Sequence, residues 1–524
     1  MGLRLLPWAL ICGLFTIALS TAPVKAQSDW EQSLEALIAA DDAARQEELL
    51  EEVLAAEPFW WEVALLIEEQ EYAAPTETGF NLRHSMCTDE VERPWALYVP
   101  PDYDGSTPTP LFVVLHGGVS TPEIPEEPLP WAEESVLMQL AVERGWLAVF
   151  PYGQDGATWW DEVGMANINN IVCTVKREFN VNDDRVYMGG YSDGASGSFC
   201  WAMIDPTDYA AFAALSGHLG VGSLDGELPT YAPNLANTAI YAVTSFEDQL
   251  YASDQMRPSI EMALDVGADI FYREQEGLHD FSYAGEELPL LGKFFGRHAR
   301  DPFPQHIVWE TATSQYGRCR WLAIDAITGE QAAPWHQDHN AILADSSIII
   351  GFVPDHTYEG EGMAVGEVME DTFAEDTGLL AGDIVVRCNE TPIVSGDDLW
   401  EWKSTVSRGD AIELEVLREG QSVVLSGNLP PVLNYYIFAR ELPSACVRAR
   451  FMGNRVDIEA SRVGALRLLI HPEMFRLERP IMITVNGAEV FNGTVEADLE
   501  YMLRNYLQHR DRSLLYVAEL PIEL

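Results

Sequence analysis

Residues 184–197 read Asp-Arg-Val-Tyr-Met-Gly-Gly-Tyr-Ser-Asp-Gly-Ala-Ser-Gly, and they contain the pattern Gly-x-Ser-x-Gly between Gly190 and Gly194. An apolar run leads into this pattern and small residues follow it, which predicts a strand, a sharp turn and a helix in succession. Such a turn exposes its serine, and the flanking glycines leave room for the chain to close. A glycine-rich loop that only turns is the alternative. The context favours the first interpretation and makes Ser192 a candidate nucleophile.

A serine hydroxyl needs a base, and the base needs an acid that orients it. On this type of sheet the acid and then the histidine follow the serine in the chain, each just beyond a strand. The apolar run 239–244 leads into Glu247 and Asp248, and the run 270–274 leads into His279. We therefore predict Asp248 as the acid and His279 as the base. Glu247 and Asp254 remain alternatives for the acid.

The tetrahedral intermediate that such a serine forms carries an oxyanion, which requires preorganised donors. Leu115-His-Gly-Gly118 ends another apolar run, and we predict the backbone amides of Gly118 and Asp193 as the donors. A tight turn without a donor role is the alternative. Trp159 and Trp160 could stack on a substrate at the same cleft, although a pair of aromatic residues is also common in ordinary packing.

The segments around these motifs predict the fold class. Between residues 78 and 300, short apolar runs alternate with amphipathic helical stretches, which predicts a doubly wound, largely parallel α/β domain. Residues 27–77 have a helical pattern that is expected to pack on this domain. Residues 301–343 and 432–524 have alternating β-type patterns, and we predict that they form two halves of one β domain. The interval 344–431 reads as a module inserted between those halves.

The motifs as a set resemble those of α/β-hydrolases of the secreted feruloyl esterase and polyhydroxyalkanoate depolymerase type. The resembling segments include Leu97-Tyr-Val-Pro-Pro-Asp-Tyr-Asp, Leu-His-Gly-Gly, the serine turn and Leu278-His-Asp. Prolyl-oligopeptidase-like exported hydrolases share them. Ala195 and Leu278 depart from the family pattern, which has glycine at both places. The resemblance implies a serine hydrolase that cleaves carboxylic esters through an acyl-enzyme, with a peptidase of the same triad as the alternative. A catalytically idle protein that binds partners is a third possibility.

The predicted insertion resembles a bacterial PDZ domain. The segment Thr377-Gly-Leu-Leu-Ala-Gly-Asp383 carries the most specific signature of that family, and Ile350-Gly351-Phe352 matches its carboxylate-binding loop. The resemblance implies a peptide or protein C-terminus as partner, held by edge pairing to a strand. A module that only packs on the hydrolase is the alternative. Because no predicted catalytic group lies within 346–429, we expect its excision to keep small-ester turnover within about tenfold.

The composition excludes some partners and indicates export. With 83 acidic and 31 basic residues the formal charge is −52, which disfavours binding to nucleic acid or to anionic membranes. Residues 1–26 resemble a cleavable export signal, so we expect a periplasmic or extracellular protein without stable membrane insertion of the mature chain. A buried N-terminal helix is the alternative for this segment. The six cysteines beyond it could pair, in an order that the sequence leaves open. No cofactor or metal is expected, because His336-x-x-His339 has no third ligand.

Overall fold

The computed structural model describes residues 28–120, 124, 127–345, 347–355, 357, 358, 360–438 and 442–524. The predicted export segment, 1–26, lies outside these residues. The chain divides into two compact units, of which the first ends at Pro58 and the second runs from Phe59 to Leu524. None of the helices in the described part of the chain has the length and apolar character needed to cross a membrane.

The described part of the first unit is a pair of helices, α1 (Asp29–Ala39) and α2 (Ala43–Ala55). Their apolar residues recur at helical spacing and pack between the two helices. The Asp42 side chain accepts a hydrogen bond from the Arg45 amide, which caps the start of α2. The helical pattern predicted for 27–77 therefore includes these two helices and a third, which belongs to the second unit.

An eight-stranded sheet organises the first half of the second unit. Its strands are β1 (Gly79–Met86), β2 (Glu92–Val99), β3 (Thr109–Leu115), β4 (Leu147–Pro151), β5 (Val181–Tyr191), β6 (Ala211–Leu215), β7 (Ala239–Ser245) and β8 (Asp269–Gln275). They lie in the order β1-β2-β4-β3-β5-β6-β7-β8. The pairs β1/β2 and β2/β4 are antiparallel, and all the other neighbours are parallel. This strand order, with the serine turn directly after β5, is the α/β-hydrolase fold, as the sequence predicts.

Helices cover both faces of this sheet. The helices that pack on it are α4 (Pro128–Glu134), α5 (Val136–Arg144), α6 (Glu162–Glu178), α7 (Asp193–Ile204), α9 (Ser253–Asp265) and α10 (Ala284–Arg297). The helix α3 (Trp60–Glu68) precedes β1, and a short helix α8 (Val221–Leu224) and a 3-10 helix at Ala232–Asn237 lie between β6 and β7. Alternate residues of β3 enter two separate cores: Leu111 and Val113 pack in one, and Phe112 and Val114 pack in the other. Burial on both faces explains the continuous apolar runs of the central strands.

Two further sheets form the β domain. Its elements are β9 (His306–Thr311), β10 (Arg318–Cys319), β11 (Leu322–Ile327), β20 (Ala445–Met452), β21 (Arg455–Ser461), β22 (Val463–Ile470), β23 (Ile481–Val485), β24 (Ala488–Gly493), β25 (Ala518–Glu523) and α13 (Leu499–His509), with a 3-10 helix at Ser314–Tyr316. The sheets have the orders β24-β23-β21-β20-β9 and β10-β11-β22-β25. Strands from before and after the predicted insertion thus pair in both sheets, and they share one core.

The interval between these halves folds around a sheet of its own. Its elements are β13 (Phe352–Pro354), β14 (Met363–Val368), α11 (Phe373–Thr377), β15 (Ile384–Cys388), β16 (Thr391–Pro392), α12 (Gly396–Lys403), β17 (Ala411–Arg418) and β18 (Gln421–Asn428). We call this part the inserted module. A two-stranded stem of β12 (Ala341–Asp345) and β19 (Leu433–Ile437) brings its two ends together. The module has a separate core, and it is entered and left through adjacent strands.

A buried ionic cluster joins the α/β domain to the C-terminal segment. Asp511 lies 2.7 Å from the Arg300 guanidinium and 3.1 Å from the Lys176 ammonium, and all three side chains are at most 1% exposed. Lys176 also pairs with Asp183 of β5. The neighbouring cations lower the pKa of Asp511, although burial opposes this effect. Opposite charges therefore keep Asp511 ionised in a buried region, whereas burial raises the pKa of Asp183.

Candidate active site at the carboxyl edge of the sheet

Ser192 lies on the turn between β5 and α7, at the edge where the parallel strands end. Its backbone has φ 57° and ψ −120°, a conformation that residues with a side chain rarely adopt. The turn holds this conformation because β3 passes close beneath it: a Cβ atom on Gly194 would lie 2.0 Å from the Leu115 carbonyl oxygen. A glycine is therefore required at position 194, and the strained turn presents the Ser192 hydroxyl at the start of a helix.

The structure brings the three predicted triad residues together. The Nε2 atom of His279 lies 2.9 Å from Ser192 Oγ, and its Nδ1 atom lies 2.8 Å from Asp248 Oδ2. Asp248 is 3% exposed, and its Oδ1 also accepts hydrogen bonds from the amides of Leu250 and Tyr251. A carboxylate held in this way fixes the Nδ1–H tautomer of the imidazole, so that Nε2 faces Ser192 as a proton acceptor.

Neither alternative acid occupies this position. The Glu247 carboxylate accepts a hydrogen bond from the Gly277 amide, on the loop that leads to His279. Asp254 is exposed in the first turn of α9. The geometry therefore favours Asp248 over both residues as the partner of the imidazole.

The predicted oxyanion loop passes directly beside the nucleophile. A Cβ atom on Gly117 would lie 2.9 Å from the Ser192 Cβ, so only glycine allows this approach. The Val119 amide donates to the Asp193 carboxylate at 2.9 Å, which ties the loop to the start of α7. The amide of Asp193 is among the first of α7, and the first amides of a helix have no acceptor within the helix. Both predicted donors, Gly118 and Asp193, thus belong to segments that adjoin the serine.

His116 supports the oxyanion loop through hydrogen bonds. Its Nδ1–H donates to the Gly117 carbonyl at 2.8 Å, and its Nε2 accepts a hydrogen bond from the Gly153 amide at 2.9 Å. Burial lowers the pKa of His116 to about 4, because the charged imidazolium is poorly solvated there. The ring is therefore neutral near neutral pH and acts as a fixed hydrogen-bonding support for the loop.

The prediction that Trp159 and Trp160 contact substrate is wrong. The two side chains are only 1% and 6% exposed. The indole N–H of Trp159 donates to the His116 carbonyl, and its own carbonyl accepts from the Trp201 indole. Trp159 thus packs against the oxyanion loop, whereas Trp160 lies beside Gly226. Because both side chains are buried, neither ring presents a face to a substrate.

A tryptophan that the sequence prediction missed does face the site. Trp400 of α12, in the inserted module, stacks on His279 with ring centroids 6.4 Å apart and an interplanar angle of 23°. Tyr191 and Tyr251 of the α/β domain contact the same imidazole, at 5.1 and 5.7 Å. No pattern in the sequence links Trp400 to His279, because the two lie in different domains and far apart in the chain. Excision of 346–429, which is expected to keep small-ester turnover within about tenfold, would also remove this contact with His279.

The predicted peptide-carboxylate loop lies at the edge of the module. Gly351 has φ 99°, and Phe352 begins β13, which is the edge strand of the module's sheet. Ile350 is 2% exposed, and its carbonyl accepts a hydrogen bond from the Ala374 amide. The open edge of β13 is compatible with strand addition, and no contact of the loop identifies a ligand.

The two histidines of His336-x-x-His339 have different surroundings. The Nδ1 of His336 lies 2.9 Å from Ser461 Oγ, and its Nε2 lies 3.1 Å from the Glu310 carboxylate. Glu310, His336 and Cys446 place their potential metal-ligand atoms within 4.8 Å of one another, and His339 is not part of this group. Hydrogen bonds account for both ring nitrogens of His336. This arrangement is a buried polar network in the β domain.

The cysteines of the described residues form no disulfide bond with one another. Five of the six are buried, and Cys173 is partly buried. The pairing that the sequence left open is thus not present among these residues.

The chain is similar to known proteins over only part of its length. No protein-family model matches the chain. Among curated proteins it is similar to a bifunctional acetylxylan esterase/xylanase of Neocallimastix patriciarum, with 28% identity over 124 residues. The match covers 23% of this chain and 18% of that protein, so the chain spans less than a fifth of the curated relative it matches.

Several solved structures are also similar. A thermostable esterase is 19% identical, with a TM-score of 0.34 and coverage of 42% of this chain and 63% of that one. A fluorophosphonate-binding serine hydrolase of Staphylococcus aureus is 14% identical, with a TM-score of 0.34 and coverage of 42% and 99%. The acylaminoacyl peptidase of Pyrococcus horikoshii is 18% identical, with a TM-score of 0.34 and coverage of 43% and 42%. The functional assignment therefore rests on the geometry of the site.

Proposed function

We propose that the protein is an exported serine hydrolase that cleaves carboxylic esters through an acyl-enzyme. The observation that carries this proposal is the continuous set of hydrogen bonds from Asp248 through His279 to Ser192, with Ser192 on a strained turn. A serine, an imidazole and a carboxylate in this order are the groups that acyl transfer requires. The similarity to a bifunctional acetylxylan esterase/xylanase supports an ester as the substrate.

Each group has a defined role in the proposed reaction. Ser192 Oγ attacks the ester carbonyl carbon while His279 Nε2 takes the hydroxyl proton, and Asp248 stabilises the imidazolium that forms. The amides of Gly118 and Asp193 stabilise the oxyanion. Collapse of the tetrahedral intermediate breaks the bond to the alcohol oxygen, which receives the proton from His279. Water then attacks the acyl-enzyme by the same route and releases the acid.

The experiment that tests this proposal is trapping of the acyl-enzyme together with a substrate panel. The purified chain is mixed with p-nitrophenyl acetate, quenched in acid and analysed by peptide mass spectrometry. We expect an acetyl group on Ser192 and hydrolysis of short-chain or feruloyl esters at higher kcat/KM than that of blocked peptides. Preference for a blocked peptide would assign the same triad to a peptidase. Lack of both acylation and turnover would contradict the hydrolase.

Export is a separate part of the proposal, and it depends on residues 1–26. Expression of the full chain in a bacterium and N-terminal sequencing of the product tests it. We expect a mature N-terminus near residue 27 in the periplasmic or extracellular fraction. An uncleaved chain that stays in the cytoplasm would contradict export and leave the catalytic proposal unaffected.

A further inference from the structure

The inserted module reaches the catalytic histidine through one exposed side chain. Trp400 is 39% exposed although its indole stacks on His279. Tyr191 and Tyr251, which contact the same imidazole, are more buried and belong to the α/β domain. Trp400 thus keeps part of its surface exposed, while His279 stacks on its ring and Lys403 Nζ lies 4.5 Å from the ring centroid.

The stem of the module is anchored in the α/β domain. Leu343 of β12 and Ile437 of β19 are buried in the core of the α/β domain. The hydroxyl of Tyr435 in β19 forms a hydrogen bond with Nε2 of His218, whose Nδ1 accepts from the Gly220 amide. The stem is therefore embedded in the α/β domain, and its paired strands hold the two ends of the module there.

Hydrogen bonds also connect His218 to the nucleophile. The backbone amide of His218 donates to Ser196 Oγ, and this hydroxyl donates to the carbonyl of Ser192. Burial lowers the pKa of His218 to about 4, so the ring is neutral and makes its bond to Tyr435 as a hydrogen-bond donor. The module is therefore attached where the serine turn is supported.

The chemistry of the triad defines which part of a substrate Trp400 adjoins. In the first half of the reaction His279 Nε2 gives its proton to the departing alcohol oxygen, so that oxygen lies within hydrogen-bond distance of the imidazole. The acyl group is bonded to Ser192 and stays there. A ring stacked on His279 at 6.4 Å therefore lies beside the alcohol portion.

We propose that Trp400 forms a wall of the subsite for the leaving alcohol, and that this subsite takes alcohols with a flat aromatic or sugar-like ring. This inference rests on the proposed esterase function. Lys403 Nζ lies 4.5 Å from the centroid of the Trp400 ring, and the part of this side chain that stays exposed offers an apolar surface against which such rings pack. A short alkyl chain covers little of that surface. Trp400 is thus a specificity-determining residue that the inserted module supplies to the α/β domain.

Two acetate esters test the proposal. Benzyl acetate and propyl acetate form the same acetyl-enzyme, and their alcohols have similar basicity, so they differ mainly in the ring. We expect Trp400→Ala to lower kcat/KM for benzyl acetate about tenfold and to leave propyl acetate within twofold. Trp400→Phe keeps an aromatic face and should retain most of the preference. Trp61→Ala is the matched control, because Trp61 is exposed and stacks on Phe59.

The outcomes separate this inference from the proposed function. An equal loss on both esters would make Trp400 a support of the imidazole, and no loss on either would place it outside the subsite; both results overturn the inference. If the wild-type chain hydrolyses neither ester and Ser192 does not react with a fluorophosphonate, the proposed function fails as well. Labelling of Ser192 in Trp400→Ala shows that this variant remains folded.

Discussion

In the part of the chain that the structure describes, a histidine lies between a serine and a carboxylate at two places, and the surroundings of the two groups differ. At the sheet edge, His279 faces Ser192 with Nε2 and Asp248 with Nδ1, and its side chain is 10% exposed. In the β domain, His336 faces Ser461 with Nδ1 and a glutamate with Nε2, and its side chain is 1% exposed.

The backbone conformation also differs between the two serines. Ser192 sits on a strained turn before a helix, whereas Ser461 ends β21, is buried and also accepts a hydrogen bond from the Ala333 amide. Similar distances therefore have different consequences. A partly exposed nucleophile with amide donors beside it can transfer an acyl group, whereas a fully buried network can only stabilise the fold.

The largest expected difference between the two groups concerns their serines. Ser192→Ala should lower kcat for an acetate ester by about five orders of magnitude, because the acyl-enzyme can no longer form. Ser461→Ala should leave kcat within twofold and lower the free energy of unfolding by about 1–2 kcal/mol, because His336 loses a buried hydrogen-bond partner. Steady-state kinetics and urea unfolding on both variants measure these effects. Loss of turnover in Ser461→Ala would break the comparison.

The carboxylate of the catalytic group provides the next test. Asp248→Asn should lower kcat by about four orders of magnitude, because an amide no longer fixes the Nδ1–H tautomer of His279. Glu247→Gln on the same loop should cost no more than a few-fold, since that side chain contacts the Gly277 amide. The two variants are compared at one substrate concentration series. If Glu247→Gln lowered kcat more than Asp248→Asn did, Glu247 would be the acid.

Substitutions in the buried network around His336 should change the stability of the fold. His336→Ala leaves the Glu310 carboxylate buried without its imidazole, and we expect the free energy of unfolding to fall by about 3 kcal/mol. His306→Ala changes an exposed histidine on the strand that carries Glu310 and serves as the control. Chemical denaturation measures both. A stability of His336→Ala equal to that of the control would mean that the network contributes little.

A smaller effect is expected from pH. Burial lowers the pKa of His471 from its ordinary value of 6.5 to about 3. Between these two values the unfolded chain binds the proton and the folded chain does not, so this residue stabilises the fold above pH 6.5 and less as the pH falls. His471→Gln should therefore weaken the loss of stability in acid by about 1.4 kcal/mol per pH unit. The exposed His84→Gln is the control, and unchanged acid sensitivity in His471→Gln would contradict the account.

Much of the catalytic arrangement could be predicted from sequence because it depends on local chain patterns. The serine turn needs Gly194 where β3 passes beneath it, and Asp248 and His279 follow apolar strands whose carboxyl ends meet at one edge. The alternating strand β1 was not predicted, because it is an edge strand with no fully buried residue and lacks a continuous apolar run.

Burial and contacts between domains could not be predicted in the same way. Trp159 and Trp160 have the residue types of a substrate platform, yet both side chains are buried. Trp400 contacts His279 across two domains, and the stem joins the module to the α/β domain. The spacing of residues along the chain does not indicate such a contact. Residue type indicates which chemistry is available, and tertiary packing decides which residues a substrate can touch.

The most direct test of the central claim is a fluorophosphonate map of the reactive serines of the whole chain. The protein is incubated with the probe, digested and analysed by mass spectrometry, with His279→Ala treated in parallel. The account predicts one stoichiometric adduct on Ser192, its near-complete loss in His279→Ala, and no adduct on Ser461. A chain without an adduct on Ser192, or one labelled instead on Ser461, would contradict it.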